Sequence, residues 1–474
     1  MNRESESVAL LHEETKRRLS VLWPLAWPAI VERILATMVS YVDTAMVGSM
    51  GANGTAAVSV NGPALWLIGS AMMGLGVGYS VQVSNAVGAG DKERAKKITQ
   101  QGFLAALVSG VFALVVYELL GGQISVWMGA KDEILPHAVN YLRIYAASYP
   151  FIAFQGLFSS ILRSMGNSRT PLLINTAANV GNAVLNFFLI YPTREWHGIT
   201  LPGAGWGVEG AAVASAIAMS LGGLATVWAA FHQEEYRTDL RGDALKPDGA
   251  IISRALKLGI PSAIEGSIVN MGQIAMTTLV AHNLSIAALA ANQIGNVAEG
   301  FCYLPAMGVG VATVALVGQS VGAGSQKDAE GYGNLGGAIA VGMTAVLSII
   351  LFIFAPGVLS IFNSDREVVT LAASALRIML VAEPLMAAAS SFAGSLRGAD
   401  DVKFPMYAGF IGMWVIRVPV AYFLVLVLHG DLMAVWLAMA LDQGSRGILC
   451  ALRWRSKKWV HISGLDREPV VAEN

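Results

Sequence analysis

Twelve apolar stretches, most of them over 20 residues long and separated by short polar segments, account for most of this chain. A helix needs roughly 20 consecutive apolar residues to cross a bilayer. The backbone in hydrocarbon must satisfy its own hydrogen bonds, so runs of this length read as spanning helices. Composition agrees: 55% of the 474 residues are apolar and 13% are charged, against about 25% charged in soluble domains. The 51 glycines fit too, because Gly is commoner in membrane helices than in soluble ones. A net charge of −1 supplies no basic patch for nucleic acid. Cys302 and Cys450 both lie in apolar stretches, which excludes a disulfide framework or a cysteine metal cluster. The fold class predicted is an all-α polytopic membrane protein.

Spans are predicted at 21–48, 56–87, 98–120, 134–158, 171–191, 207–231, 254–282, 287–320, 332–355, 368–394, 404–428 and 432–452. The run that follows Lys16-Arg17-Arg18 exceeds a signal-peptide core, so it reads as the first spanning helix. Placing both termini in the cytoplasm gives that side most of the positive charge, as the positive-inside bias requires. It receives Lys92, Arg94, Lys96, Lys97, Arg163, Arg169, Arg237, Arg241, Lys246, Arg254 and Lys257, followed by Lys327, Arg397, Lys403, Arg453, Arg455, Lys457, Lys458 and Arg467. The opposite loops hold Lys131, Arg194 and Arg366. The expected organisation is a cytoplasmic segment 1–20, a six-helix bundle 21–232, a cytoplasmic linker 233–253, a second six-helix bundle 254–452 and a cytoplasmic tail 453–474.

The halves repeat at an offset of 234 residues. Gly74–Gly90 lies against Gly308–Gly324, Leu142-Arg143-Ile144 against Leu376-Arg377-Ile378, Pro150 against Pro384, Leu162-Arg163 against Leu396-Arg397 and Pro171 against Pro405. At an offset of 233, Pro28 and Glu32 fall on Pro261 and Glu265. An even number of helices per half gives both the same orientation, so these are parallel repeats related by a pseudo-two-fold axis along the membrane normal. That arrangement puts a transporter's site between its halves.

Ionisable residues within spans are functional candidates, since burying each one is costly. Asp442 and Arg446, four apart on one helix, read as a mutual pair. Arg143 and Arg377, equivalent in the repeat, read as a shared packing device. Asp43 differs. It lies in the first span, while Asn175, Asn179, Asn182 and Asn186 follow one another at spacings of 4, 3 and 4 on the fifth, which places them on one helical face. A carboxylate with amide oxygens suits a hard monovalent cation, and a desolvated carboxylate suits a proton. The repeat acts as a control: Asp43, Asn182 and Asn186 correspond to Met276, Ile416 and Val420. The second half instead carries Glu265, Glu299 and Arg417, which suggests that one half couples the cation while the other recognises substrate or gates. Glu32 joins that second group of substrate or gating candidates. Catalytic motifs are missing: there is no His-Glu-x-x-His, nucleophile elbow or phosphate loop. The Gly-rich stretches read as close-packing helices.

These residues resemble the multidrug and toxic compound extrusion (MATE) family of cation-coupled exporters. The resemblance rests on Val42-Asp43-Thr44-Ala45-Met46-Val47-Gly48, on Val87-Gly88-Ala89-Gly90 with Val321-Gly322-Ala323-Gly324, on Leu162-Arg163-Ser164-Met165-Gly166-Asn167 and on Gly394-Ser395-Leu396-Arg397-Gly398. It implies twelve helices in two bundles, V-shaped around a central cavity, residing in a bacterial cytoplasmic (inner) membrane. It further implies export of small amphipathic, often cationic, organic compounds in exchange for Na⁺ or H⁺, with no other cofactor and with a monomer as the working unit. The family's coupling-cation site carries over to Asp43, Asn182, Asn186 and the hydroxyl of Ser215, with Asn179 nearby. Asn186 replaces an Asp of some members and Ser215 a more usual Thr, so the resemblance leaves the ion open between Na⁺ and H⁺. Acids that some members place in the second half fall here on Val269 and Met386. A lipid-linked precursor flippase, which would favour fourteen helices, and a non-transporting membrane scaffold or enzyme are the alternatives.

Overall fold

A computed structural model of the chain describes residues 3–196, 199–240 and 246–466, which form helices and one small β-hairpin. Arg241 and Arg467 lie outside that range, as do positions 241–245 of the expected linker and 467–474 of the tail. The first half runs α1 (Arg3–Gly48), α2 (Gly51–Ser59), α3 (Gly62–Gly88), α4 (Lys92–Trp127), α5 (Leu135–Ala146), α6 (Tyr149–Ser164) and α7 (Arg169–Leu189). The antiparallel hairpin β1 (Pro192–Trp196) and β2 (Ile199–Ala204) then leads into α8 (Gly207–Phe231). The second half runs α9 (Gly249–Asn283), α10 (Ile286–Gly322), α11 (Gln326–Leu359), α12 (Arg366–Gly398), α13 (Lys403–Phe410), α14 (Val418–Tyr422), α15 (Leu432–Arg455) and α16 (Lys458–Ser463). Wider π-turns occupy Ile411–Arg417 and Phe423–Val427, on either side of α14.

Several spans differ from expectation for identifiable reasons. The segment expected as 56–87 divides into α2 and α3 around Val60 and Asn61. The position before proline is biased away from the helical region, and Pro63 sits in the first turn of α3. Asn61 pins the break: it is fully buried, donates to the Ala138 carbonyl at 2.8 Å and accepts from Ser125 Oγ at 2.9 Å. The segment expected as 134–158 divides into α5 and α6, with Pro150 in the first turn of the latter. The polar N-terminal segment continues α1 without interruption, and the hairpin 192–204 had no sequence signal. Among the described residues, nine helical segments are long and apolar enough to cross a membrane. Three rods of the expected twelve fall short of that measure. The α5–α6 rod is broken, Ser262, Glu265, Ser267, Asn270 and Gln273 dilute α9, and Asp442, Gln443, Ser445 and Arg446 dilute α15.

The repeat is visible in local geometry. Gly90 and Gly324 both adopt left-handed φ, of 71° and 70°, the conformation glycine permits at a helix C-terminus. Asp91 and Ser325, equivalent residues, then cap α4 and α11. A Cβ on Gly88 would fall 1.8 Å from the Gln319 carbonyl oxygen, and one on Gly322 would fall 2.0 Å from that of Asn85. Asn85 and Gln319 are themselves equivalent at the 234-residue offset, so this crossing is reciprocal. Arg143 lies 3.8 Å from Glu118, while its counterpart Arg377 donates to the carbonyl of Phe352, the counterpart of Glu118, at 3.2 Å. The same helix pair is linked in both halves with different chemistry.

The chain divides into two compact units. One comprises residues up to Val31, Ser84–Gly90 and the chain from Ile264 onward; the other comprises Glu32–Val83 and Asp91–Ala263. The core of the first unit gathers Met276, Ala298, Met379, Leu376, Ala421 and Trp436 from five helical segments, with the Trp436 indole donating to Asn292 Oδ1 at 3.0 Å. In the second unit, Val47, Ala57, Ala138, Ile190 and Ala212 pack the region around the end of α1.

Candidate functional site

Asp43 stands five residues before α1 ends at Gly48, half-buried and facing α7. Asn186, fully buried, donates from Nδ2 to Asp43 Oδ1. The same amide reaches Asn182 Oδ1 at 3.3 Å, and Asn182 Nδ2 donates to Ser215 Oγ on α8 at 3.1 Å. One carboxylate, two amides and a hydroxyl thus form a continuous polar chain across three helices. The stacked rings of Tyr141 and Tyr145 on α5 lie within electrostatic reach of Asp43. Asn186 Oδ1 is buried without a donor. An acceptor that lacks a partner, next to a carboxylate, is a demand for a cation or a proton. The oxygens of Asp43, Asn182, Asn186 and Ser215 are the hard donors a monovalent cation takes.

The asparagine stripe serves two carboxylates. Asn175, at its other end, donates to Glu32 Oε1 at 2.7 Å and accepts from Gln155 at 2.6 Å. Asn179, between the two ends, is half-buried and takes no part in the Asp43 chain. Glu32 also receives Arg163 Nη1 at 3.0 Å, and in the other unit Arg397 holds Glu265 at 2.7 Å. Neither carboxylate is a free charge. Sequence reasoning used Arg163 and Arg397 for orientation, for the repeat and for the family motifs, and gave neither a partner. Their equivalence at offset 234, beside that of Glu32 and Glu265 at 233, was the signal for these paired contacts.

Glu299 and Arg417, expected to recognise substrate or to gate, are each 5% exposed. Arg417 leaves the π-turn toward α15, where it lies 3.9 Å from Asp442 and donates to Met439 Sδ at 2.9 Å. Asp442 is fully buried and held by Arg446 Nε at 2.6 Å. The π-turn glycine Gly412 makes that approach possible, since a Cβ there would fall 2.1 Å from Asp442 Oδ1.

Duplicated helical halves, with an intramembrane carboxylate bonded to amides in one of them, belong to a secondary transporter of the membrane. The chain belongs to the MatE family: the model so described matches residues 28–188 and again 261–423, one match in each half. It is 27% identical over 461 residues to the "Probable multidrug resistance protein NorM" of Thermotoga maritima, covering 97% of both chains. It is likewise 27% identical over 446 residues to the "Uncharacterized transporter YisQ" of Bacillus subtilis, covering 93% of this chain and 94% of that one. Among solved structures, MATE in complex with MaL6 superposes with a TM-score of 0.87 at 22% identity, over 95% of this chain and 98% of that one. An outward-facing multidrug resistance MATE family transporter of the MOP superfamily gives 0.84 at 22% identity, over 95% and 97%. The architecture is therefore the MATE fold, all-α and polytopic, and the protein is a membrane transporter rather than an enzyme.

Proposed function

We propose that the protein is a secondary active exporter that extrudes small amphipathic, often cationic, organic compounds in exchange for inward Na⁺ or H⁺. The chain Asp43–Asn186–Asn182–Ser215 carries this reading, because it couples a carboxylate to an unpartnered buried oxygen near the C-terminal end of α1. Antiport requires a site whose occupancy differs between two conformations, since a ligand shifts an equilibrium only by its differential affinity. Asp43 meets that requirement with either ion. Asn182, Asn186 and Ser215 orient it and supply further oxygens. The proposal places the protein in a bacterial cytoplasmic membrane with both termini cytoplasmic, acting as a monomer.

The test is exchange in proteoliposomes with an imposed Na⁺ or pH gradient and a panel of cationic dyes. Gradient-driven uphill dye movement is expected with at least one of the two ions. Dye movement that follows its own gradient and ignores both ions would overturn the proposal.

A further inference from the structure

The second half holds buried charge that the Asp43 site does not use. Glu383, on α12, is fully buried, and no donor reaches either of its carboxyl oxygens. Its carboxyl group lies beside that of Glu299 on α10, itself 5% exposed. Such a contact joins two acceptors until a proton sits between them. Arg417 is the cation that acts on Glu299; none acts on Glu383. Other polar groups near the cluster include Asp442 and Arg446 on α15, the Cys302 thiol one turn along α10 and Ser348 on α11. Asp442 is taken by Arg446. Three carboxylates thus face two guanidinium groups, and a single proton makes the cluster neutral. Burying a charge without a partner is far costlier than burying a paired one, so neutrality is the state this interior demands.

We propose that Glu299 and Glu383 form an occluded proton-binding site. One proton resides on Glu383 and is donated to Glu299, whose charge is balanced by Arg417. Sodium is a poor occupant, because the Arg417 guanidinium already acts on the site. The repeat equivalents of Glu299 and Glu383 are Leu65 and Tyr149, so this acid pair is peculiar to the second half, as Asp43 is to the first. The site stands independently of the coupling role given to Asp43.

The test is the infrared spectrum of the purified full-length protein in detergent at neutral pH, before and after transfer to deuterium oxide. Wild type and Asp43→Asn should both show the carbonyl stretch of a protonated carboxylic acid that exchanges slowly. Glu383→Gln should lose that band while keeping its fold and melting temperature, because the amide donates to Glu299 as the acid does. A wild-type spectrum without the band, or a band that survives Glu383→Gln in the Asp43→Asn background, would overturn the proposal. Failure of Glu383→Gln to fold, with Glu383→Asp folding normally, would also overturn it, since a neutral isostere could not then replace a neutral acid. Loss of the band in Asp43→Asn would assign the proton to the other half of the chain.

Discussion

Arg397 donates to both carboxyl oxygens of Glu265, at 2.7 and 2.8 Å. Arg163 grips Glu32 in the same way in the other repeat, at 3.3 and 3.0 Å. The duplicated contact ties the first helix of each half to the end of the segment before its fifth. A carboxylate already neutralised by arginine has little charge left with which to select a cationic substrate. Each side chain of the Glu265–Arg397 pair is 18% exposed, so removing one partner should cost less than the 3–5 kcal/mol of a fully buried pair, about 2 kcal/mol. Glu265→Gln and Arg397→Gln should each lower the melting temperature, and the double variant should lose less than the sum of the two. Transport of cationic and neutral compounds should fall together. A loss confined to cationic substrates would restore direct recognition by Glu265.

Most of the architecture was legible because a bilayer imposes one dominant rule, long apolar runs closed on their own hydrogen bonds. The repeat was legible because its glycines and prolines must stay where backbones cross or helices start, as Gly88 and Gly322 show. The breaks at Asn61 and Ala147 were not, since an apolar run reads the same whether or not its helix is interrupted. Asp43, Asn182, Asn186 and Ser215 come together because helical spacing fixes one face and the neighbouring helix supplies the rest. The contacts of Glu299 and Arg417 were not legible, for the opposite reason. Sequence reveals that a charge lies within a span but not which way a π-turn aims it, and the turn at Ile411–Arg417 sends Arg417 inward to Asp442.

The end of the linker is strapped to α4. Lys97 Nζ lies 2.6 Å from Asp248, and Gln101 both donates to the Lys246 carbonyl and accepts from the Asp248 amide. The Lys97 ammonium, with the amides of Ile251 and Ala250, holds the Asp248 carboxyl below its ordinary range. A carboxyl lowered in the folded state contributes bracing that is complete above its unfolded value and is lost as pH falls through the folded one. Cleavage of the linker by an acid-active protease should therefore stay slow until pH drops below the usual carboxylate range. A protease of broad specificity at neutral pH should cut the linker faster in Asp248→Asn than in wild type. Equal rates would show that the strap does not depend on the charge.

Orientation can be read from one engineered thiol. Ser364 is exposed in the loop between α11 and α12, which the proposal assigns to the outside, and both native cysteines are buried. Ser364→Cys should react with an impermeant thiol reagent added to intact cells, with little background from wild type. Labelling only after lysis would invert the topology and place both termini outside.

The decisive variant is Asp43→Asn. Asn186 donates to Asp43, and its own carbonyl oxygen lacks a donor. An asparagine at position 43 can accept the first bond through its oxygen and offer its amide to the second, so the polar chain to Asn182 and Ser215 can persist. What disappears is the negative charge. A charge at the centre of a span costs about 3 kcal/mol on insertion scales and less toward its end, so removing this one should leave folding unharmed or slightly improved. Without that charge the site no longer distinguishes a loaded state from an empty one. Coupling then has no differential affinity to draw on. Dye binding in detergent, followed by fluorescence, should stay near the wild-type level, while gradient-driven accumulation in vesicles should vanish with either ion. Near wild-type uphill pumping by the Asn variant would remove Asp43 from the coupling mechanism and leave the second half to supply it.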